Sequence, residues 1–356
     1  MQILFLSTPV GPLGSGLGGG VELTLKNIAI ALAQNGHHIK IIAPERSYLD
    51  IDKHLDITLL SIPGTLQDTA QNQGRQTPII MPSQSVLAAM LDEAQQQQTH
   101  HDIVLNFAYD WLPFYLTPWL TIPIAHLISM GSLTKAIDDI IQQTLEAYPL
   151  TIGVHSQSQA DTFPFGDRCR ILSNGLDLTQ YKFQPEAQEY LAWIGRIAPE
   201  KGIEDAIAAS QQVNIPLKVF GIMPDQTYWK NICSAYPEAP VTYEGFLSTQ
   251  DLQQSLGHSK GLLMTPKWIE AFGNVTIEAL ACGVPVIAYD RGGPSEIVNH
   301  GTSGWLVPPD DIQGLVSSIQ KLPEISRQTC RKQAERQYSL NAMGQRIENW
   351  LTDILR

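Results

Sequence analysis

Two cations lie close together on a loop that leaves a predicted strand. Residues 190–194 are mostly apolar, and the loop 195–202 that follows contains Arg196 and Lys201, five positions apart. A guanidinium fork and an ammonium at the carboxyl end of a parallel strand can clamp a diphosphate. The alternative is that both are solvated surface cations paired with Glu200 and Glu204. We favour the diphosphate, because a cation pair at this place in a chain of net charge −12 needs an anion.

Two glutamates, Glu270 and Glu278, stand eight positions apart around a predicted helix start. Gly273 and Asn274 look like the first residues of this helix, so the amides of Gly273, Asn274 and Val275 offer an anion site. Each carboxylate can accept hydrogen bonds from hydroxyl groups. Phosphate-binding amides flanked by hydroxyl acceptors are typical of a sugar-nucleotide site. The alternative is that both glutamates are solvated.

A glycine-rich loop follows the first predicted strand. Residues 14–19 match the pattern G-x-G-x-x-G, and Glu45 stands at the end of the next strand. The pattern is similar to a dinucleotide fingerprint, but its glycines begin seven positions after Ser7, whereas a fingerprint turns directly from its strand. We therefore predict a flap whose amides, backed by a helix start at Gly19 and Gly20, contact a phosphate or an acceptor. A dinucleotide turn and a merely flexible loop are the alternatives.

A third group of polar and aromatic residues follows a later strand. Asn106, Tyr109 and Asp110 lie at the end of the predicted strand 103–106. Aromatic rings beside an amide and a carboxylate suit a flat heterocycle, which stacks on rings and forms hydrogen bonds at its edge. The alternative is that Phe107 and Trp111 pack in the core.

Strands and helices alternate along the chain and must position these residues. Strands are predicted at 3–7, 39–43, 57–62, 103–106 and 122–128, and again at 190–194, 217–221, 261–265 and 284–288. This alternation predicts an α/β fold of two Rossmann-like domains that face each other across a cleft. We place an acceptor-binding domain at 1–184 and a nucleotide-sugar-binding domain at 185–339. The helix at 340–356 either packs as ordinary core or crosses back to the first domain.

The overall composition bounds the class of protein. The chain has 356 residues, 43% of them hydrophobic, with 35 acidic and 23 basic side chains. This negative charge disfavours binding to nucleic acid or to anionic membrane surfaces. No apolar stretch reaches transmembrane length, no basic segment precedes the first strand, and the four cysteines form no C-x-x-C pair. We expect a cytoplasmic protein that binds small molecules and needs no metal, because Asp50 and Asp52 have no His or Cys cluster beside them.

Together these motifs resemble the retaining glycosyltransferases of family 4, which have the GT-B fold. The resemblance includes the loop 195–202, the two glutamates, and the stretches 174–177, 279–287, 292–298 and 304–307. It implies that Arg196 and Lys201 hold the donor diphosphate, that Glu278 binds the ribose, and that Glu270 binds hydroxyls of the transferred sugar. It also implies that the helix at 340–356 crosses back to the first domain.

The resemblance completes the set of candidate site residues. It places His126, at the end of a strand, beside the donor sugar as a fourth catalytic residue. The predicted donor-binding residues are Gly19, Gly20, Phe272, Gly273, Asn274, Val275 and Glu278, and the predicted acceptor-binding residues are Gly16, Asn106, Tyr109 and Asp110. The chain departs from the family just before Glu270, where the usual serine after the proline is replaced in a segment that contains Lys267 and Trp268.

The predicted acceptor is a soluble molecule. Residues 83–98 contain no Lys or Arg, unlike the basic, apolar helix of family members that glycosylate lipids. Residues 7–16, 106–112 and 163–168 resemble a cyanobacterial group of glucosyltransferases that move glucose from UDP-glucose to tetrahydrobiopterin. We therefore predict a retaining, metal-independent glucosyltransferase with a pterin acceptor. The alternatives are another acceptor, a nucleotide-sugar epimerase, a non-catalytic binding protein or an NAD(P)-dependent oxidoreductase.

Overall fold

The computed structural model describes residues 1–70 and 73–356, which divide into two compact units. The first unit comprises Met1–Gly175 together with Leu340–Arg356, and the second comprises Leu176–Ser339. The boundary therefore lies after residue 175, earlier in the chain than the sequence-based boundary after residue 184. The C-terminal segment belongs to the first unit.

The first unit contains one parallel sheet covered by helices. Its strands are β1 (Gln2–Leu6), β2 (His38–Pro44), β3 (Ile57–Ile62), β4 (Ile103–Asn106), β5 (Ile124–Leu127), β6 (Ile152–Val154) and β7 (Arg170–Ile171). They lie in the order β3-β2-β1-β4-β5-β6-β7. The helices are α1 (Gly20–Gln34), α2 (Val86–Gln97), α3 (Trp111–Tyr115), α4 (Lys135–Ala147) and α5 (Gln157–Ala160), with 3₁₀ turns at Gln98–His100, Thr117–Trp119 and Gly166–Arg168.

The two faces of this sheet bury alternate residues of the same strand. In β1, Ile3 and Phe5 join one apolar cluster with residues of α1, whereas Leu4 and Leu6 join another with residues of α2. Side chains alternate between the faces of a strand, so a sheet covered on both sides needs apolar residues at every position. This is why the continuous apolar run in the sequence correctly predicts a buried parallel strand.

The second unit repeats this architecture with six parallel strands. They are β8 (Leu191–Ile194), β9 (Leu217–Phe220), β10 (Val241–Gly245), β11 (Gly261–Met264), β12 (Val286–Tyr289) and β13 (Gly304–Val307), in the order β10-β9-β8-β11-β12-β13. The helices are α6 (Ile203–Val213), α7 (Gln226–Ala235), α8 (Thr249–Gly257), α9 (Asn274–Cys282), α10 (Gly293–Ile297), α11 (Ile312–Gln320) and α12 (Arg327–Gln337), with 3₁₀ turns at Leu178–Gln180, Pro199–Lys201 and Leu322–Glu324. The predicted pair of Rossmann-like α/β halves is confirmed.

The C-terminal helix α13 (Leu340–Leu355) packs on α1 within the first unit. Its residues Met343 and Ile347 join the apolar cluster of α1, and a Cβ on Gly344 would lie 3.1 Å from the Cβ of Ala31. Trp350 donates from its indole nitrogen to the Leu150 carbonyl at 2.6 Å. Of the helices in residues 1–70 and 73–356, including α13, none is long and apolar enough to cross a membrane.

Each sheet has a switch point where the direction of its strand order reverses. β1 lies between β2 and β4, and β8 lies between β9 and β11. In open parallel sheets, ligands bind outside the carboxyl ends of the strands at such a point. The loops after β1 and β4 in one unit, and after β8 and β11 in the other, are therefore the places where a site is expected.

Candidate functional site

In the second unit, hydrogen bonds join the loops that follow β8 and β11. The Thr265 hydroxyl donates to the Gly202 carbonyl at 2.7 Å and accepts from the Trp193 indole at 3.2 Å. The Lys267 amide donates to the Glu200 carbonyl at 2.9 Å. Gly202 has φ 63°, and a Cβ on it would lie 2.1 Å from the Thr265 carbonyl oxygen, so glycine is required there. The two loops are thus fixed side by side at the switch point.

Lys201, Trp268 and Glu270 form a cluster on these loops. Lys201 Nζ donates to Glu270 Oε2 at 2.5 Å, and Trp268 Nε1 donates to the same oxygen at 3.0 Å. The ammonium also lies 4.8 Å from the centroid of the Trp268 ring, in reach of a cation–π interaction. The side chains of Lys201 and Glu270 are 23% and 16% exposed. The fold thus brings together a predicted diphosphate ligand and a predicted sugar ligand from different loops.

Arg196 lies on the same loop as Lys201 but has a different partner. Its guanidinium contacts the carboxylate of Glu200, and its side chain is 39% exposed. This contact is the one expected if Arg196 is a solvated surface cation. Lys201, in contrast, pairs with Glu270 instead of Glu200 or Glu204. Exposed ion pairs contribute little to stability, so Arg196 can exchange Glu200 for another anion at a small cost.

The backbone around Glu270 is held by two glycines of the loop after β12. The Gly293 amide donates to the Glu270 carbonyl at 2.7 Å. Gly292 has φ 72°, and a Cβ on it would lie 2.6 Å from the Glu270 amide nitrogen. A Cβ on Gly293 would lie 2.4 Å from the Cα of Phe272. Only glycine therefore allows this loop to approach the segment that carries Glu270.

Helix α9 begins directly after Gly273, where the sequence predicts it. Gly273 is the N-cap, with φ 86° and no capping side chain, and Asn274 and Val275 open the first turn. The start of a helix carries a partial positive charge that favours an anion. Phe272, in contrast, is 6% exposed and packs edge-on against Tyr338, so its side chain belongs to the core.

Glu278 lies one turn further along α9, close to the hydroxyl of Tyr181. Tyr181 Oη donates to Glu278 Oε1 at 3.4 Å. Burial raises the pKa of the Glu278 carboxyl to about 7, and the hydrogen bond from Tyr181 opposes this rise. Glu278 therefore changes its protonation state near neutral pH, and in its ionised form it can only accept hydrogen bonds.

In the first unit, the glycine-rich loop surrounds the carboxylate of Glu22. Glu22 accepts hydrogen bonds from the amides of Gly14, Gly16 and Gly18 at 2.7, 3.2 and 2.6 Å, and from the Ser15 hydroxyl at 3.5 Å. The residue is only 9% exposed. These amides, including that of Gly16, are the ones that the sequence analysis assigns to a phosphate or an acceptor. A carboxylate of the chain itself occupies them in the structure.

Gly19 and Gly20 stand where the glycine-rich loop enters α1, and both are exposed. Gly19 is the N-cap with φ 59°, and its amide donates to the Gly16 carbonyl at 3.1 Å. The predicted helix start is therefore present at the predicted residues.

Asn106 and His126 lie inside the first unit and are 1% and 0% exposed. The two ring nitrogens of His126 lie 3.0 Å from Asn106 Nδ2 and from Thr117 Oγ1, and the ring stacks on Phe114 with centroids 4.4 Å apart. Burial lowers the pKa of His126 to about 3, so the ring is neutral. These contacts disagree with the predictions that His126 lies beside a donor sugar and that Asn106 contacts an acceptor. Both side chains are enclosed by protein and connect the ends of β4 and β5.

Tyr109 and Asp110 are half-buried at the start of α3. The Tyr109 hydroxyl donates to a backbone carbonyl at 3.2 Å, and the Asp110 carboxylate accepts from an amide of α3 at 3.0 Å as its N-cap. Next to them, Trp111 and Tyr115 stack with ring centroids 4.5 Å apart, and Tyr115 is 45% exposed. This part of the first unit therefore presents aromatic surface, with its nearby polar groups already engaged within the chain.

Among residues 1–70 and 73–356, no group of three or more His, Cys, Asp and Glu side chains could hold a metal ion. Asp52, of the D-x-D sequence in the polar loop, accepts a hydrogen bond from the His54 amide at 2.9 Å.

The strand order and helical layers of the two units define the class of fold as GT-B. The structure of Anabaena HepE in complex with UDP matches this chain with a TM-score of 0.76 and 19% identity, over 99% of this chain and 100% of that one. At this identity the likeness establishes the fold. The chain therefore has the GT-B fold that the sequence resemblance implies.

The second unit contains the part of the chain that matches a family model. Residues 179–339 match the family model of the glycosyl transferases group 1. The 2-deoxystreptamine N-acetyl-D-glucosaminyltransferase of Niallia circulans is 28% identical over 160 residues, which are 42% of this chain and 41% of that protein. The sulfoquinovosyl transferase of Arabidopsis thaliana is 26% identical over 261 residues, 67% of this chain and 49% of that protein. The chain thus spans less than half the length of these two relatives.

Some contacts of the site are absent from the sequence-based predictions. Glu22 has a local signal, because it is an acidic residue in the first turn of α1 just behind the glycine run. The sequence marks Trp268 only as part of a segment that departs from the family pattern. The pairing of Tyr181 with Glu278 joins residues 97 positions apart and has no local signal.

Proposed function

We propose that this chain is a glycosyltransferase that moves glucose from UDP-glucose to a soluble acceptor, with retention of the anomeric configuration and without a metal ion. The observation that carries the proposal is the convergence of Lys201 and Trp268 on Glu270, next to the start of α9. A cation, a carboxylate and a helix start in one place suit a diphosphate attached to a sugar. The group 1 match over 179–339 supports the transferase class. The solved complex of Anabaena HepE with UDP-glucose supports the donor.

Each charged group of the second unit has a part in donor binding. The diphosphate draws Lys201 away from Glu270 and Arg196 away from Glu200, since a phosphate replaces a carboxylate as the anionic partner. Glu270, released from Lys201, accepts hydrogen bonds from hydroxyls of the glucose. Glu278 in its ionised form accepts hydrogen bonds from the ribose hydroxyls. The start of α9 adds positive potential for the phosphates.

The transfer step needs no nucleophile from the chain. The acceptor oxygen forms a bond to the anomeric carbon on the face from which the phosphate departs, and the bond between that carbon and the phosphate oxygen breaks. The electron pair leaves with UDP, and the proton of the acceptor hydroxyl passes to a phosphate oxygen. Lys201, Arg196 and the start of α9 stabilise the negative charge that develops on the departing diphosphate.

For the acceptor we propose a pterin that stacks on the aromatic surface of α3. Trp111 and Tyr115 provide stacked rings, and the exposed ring of Tyr115 is available to a flat heterocycle. The net charge of −12 favours an uncharged acceptor over an anionic one. In this proposal Tyr109 and Asp110 support α3, and the buried Asn106 and His126 support the strands behind it.

The test is incubation of the chain with UDP-glucose and a panel of pterins, sugars and lipids, with products read by mass spectrometry and the anomer by NMR. We expect one hexose added to a pterin, α-linked like the donor, at a rate unchanged by EDTA. An epimer formed without any acceptor would indicate an epimerase. Binding of NAD(P) instead of UDP would indicate an oxidoreductase, and UDP-glucose binding without turnover would indicate a binding protein.

A further inference from the structure

Trp268 contacts both members of the Lys201–Glu270 ion pair although it carries no charge itself. Its indole N–H donates to Glu270 Oε2 at 3.0 Å, and its ring centroid lies 4.8 Å from the Lys201 ammonium. Glu270 Oε2 thus has two donors, and only one of them is a cation that a phosphate can attract. If Lys201 turns towards a phosphate, the neutral indole N–H still holds the carboxylate.

The segment that carries Trp268 is anchored at both ends. On one side, the Lys267 amide donates to a carbonyl of the loop after β8 at 2.9 Å. On the other side, the Glu270 carbonyl accepts an amide of the loop after β12 at 2.7 Å. Only Trp268 and Ile269 lie between these anchors, and Ile269 is 45% exposed. The backbone therefore directs the indole towards Glu270 independently of any ligand.

We propose that Trp268 is a positioning residue that keeps Glu270 oriented towards the transferred sugar while Lys201 binds the diphosphate. The inference rests on the proposed function, and it gives the uncharged side chain of Trp268 a role in sugar transfer. Trp268 should therefore affect the binding and reaction only of ligands whose diphosphate carries a sugar. UDP alone requires Lys201 but does not require a correctly oriented Glu270.

The test compares Trp268→Phe, which keeps a ring beside Lys201 but loses the N–H donor, with Trp305→Phe. Trp305 is a matched control in the same unit: its indole donates to the Lys321 carbonyl at 3.4 Å, and its ring centroid lies 5.6 Å from the Lys321 ammonium. We expect kcat for glucose transfer to fall about ten-fold in Trp268→Phe, while the Kd of UDP changes less than about two-fold. Trp305→Phe should change neither. An unchanged kcat, or equal losses of kcat and UDP affinity, would overturn the proposal.

A second measurement follows Lys201 without relying on catalysis. The rate at which an N-hydroxysuccinimide ester acetylates Lys201, read by mass spectrometry, reports how firmly its ammonium is held. We expect Trp268→Ala to speed this acetylation about three-fold relative to that of Lys260, with Trp268→Phe in between. An unchanged rate would overturn the proposal even if the wild type transfers glucose. If the rate rises but the wild type transfers no sugar, the proposed function is wrong while Trp268 still holds the ion pair.

Discussion

The first loop of each unit leaves an equivalent strand of its sheet, but the two loops are held in different ways. Between β1 and α1, three glycine amides donate to Glu22, which lies at most eight positions away. After β8, Lys201 donates to Glu270, which lies 69 positions away on another loop. A local carboxylate closes one loop, whereas an ion pair between distant segments holds the other.

This difference indicates which loop responds to a ligand. A phosphate at the first loop would have to replace Glu22 in four hydrogen bonds, and it would leave a carboxylate without partners. At the second loop, a phosphate replaces one anionic partner of Lys201 by another. We therefore expect the loop of the second unit to rearrange when the donor binds. The loop of the first unit should keep its conformation, in contrast to the flap that the sequence suggests.

The largest effect is expected from Lys201→Met. Loss of a cation that stabilises the departing diphosphate should lower kcat about 10²–10³-fold. Lys260→Met is the matched control, because the Lys260 side chain has the same 23% exposure and pairs with Glu189 at 2.8 Å. Steady-state kinetics with UDP-glucose check this expectation. If kcat falls no further in Lys201→Met than in Lys260→Met, Lys201 does not bind the diphosphate, and the proposed difference between the two loops is wrong.

Gly292→Ala should cause the next largest loss, because its Cβ would lie 2.6 Å from the Glu270 amide nitrogen. Displacing Glu270 should lower kcat/KM about 10–100-fold. Gly301→Ala separates this effect from backbone strain, since Gly301 has φ 73° but no atom closer than 3.7 Å to the added Cβ. Gly301→Ala should lose about 1 kcal/mol of unfolding free energy for its positive φ. Gly292→Ala should lose more, because its backbone (φ 72°, ψ −165°) is one that only glycine adopts readily and its Cβ would meet the Glu270 backbone. Activity losses of equal size would show that strain alone is responsible.

Glu22→Gln tests the glycine-rich loop of the first unit. The amide replaces a carboxylate that accepts from three backbone N–H groups, so the free energy of unfolding should fall by about 1.5–3 kcal/mol. Hydrogen exchange at Gly14, Gly16 and Gly18 should become faster. Glu146→Gln is the control, because Glu146 is an exposed residue that accepts a hydrogen bond from the Gln142 side chain. Tighter binding of UDP-glucose to Glu22→Gln would instead indicate that Glu22 occupies the place of a phosphate.

Much of the fold could be predicted because the central strands are buried on both faces. The apolar runs at β1, β4, β8 and β11 alternate with helices along the chain, and this pattern predicts parallel strands that are buried on both faces. The two edge strands of the second unit, β10 and β13, do not give this signal. In β10, three of five residues are exposed, and β13 has only its two terminal residues fully buried. Neither strand is predicted from the sequence pattern.

The place of a candidate site residue was predictable where it depends on local structure, as for Lys201 on the loop after β8 and Gly273 at the start of α9. A role was not predictable where it depends on a partner brought near by the sheet, as for Trp268 with Lys201. His126 carries two signals in the sequence that point to different roles. Every residue of β5 is buried, so a histidine inside this apolar strand shares the burial of its neighbours. The family resemblance argued for a substrate contact, whereas the strand pattern alone favoured a structural role.

The smallest expected effect is a pH dependence from Glu278, whose pKa burial raises to about 7. As the pH rises towards 7, the unfolded chain loses this proton before the folded chain does, so the free energy of unfolding decreases over that range. Binding of UDP-glucose should change in the opposite direction. Its affinity should increase about three-fold as the pH rises through 7, because the carboxylate accepts ribose hydrogen bonds better than the neutral acid. Calorimetry at several pH values measures both trends.

Two variants make this last expectation specific to Glu278. Glu278→Gln removes the titration, so UDP-glucose affinity should no longer depend on pH near 7. Tyr181→Phe removes the hydrogen bond that holds the Glu278 pKa down, so the midpoint should move to higher pH. The phosphates of UDP-glucose do not titrate in this range, and therefore they do not contribute to the shift. If Glu278→Gln keeps the wild-type pH dependence, Glu278 does not contact the ribose, and the donor is held by the other groups of the proposed site.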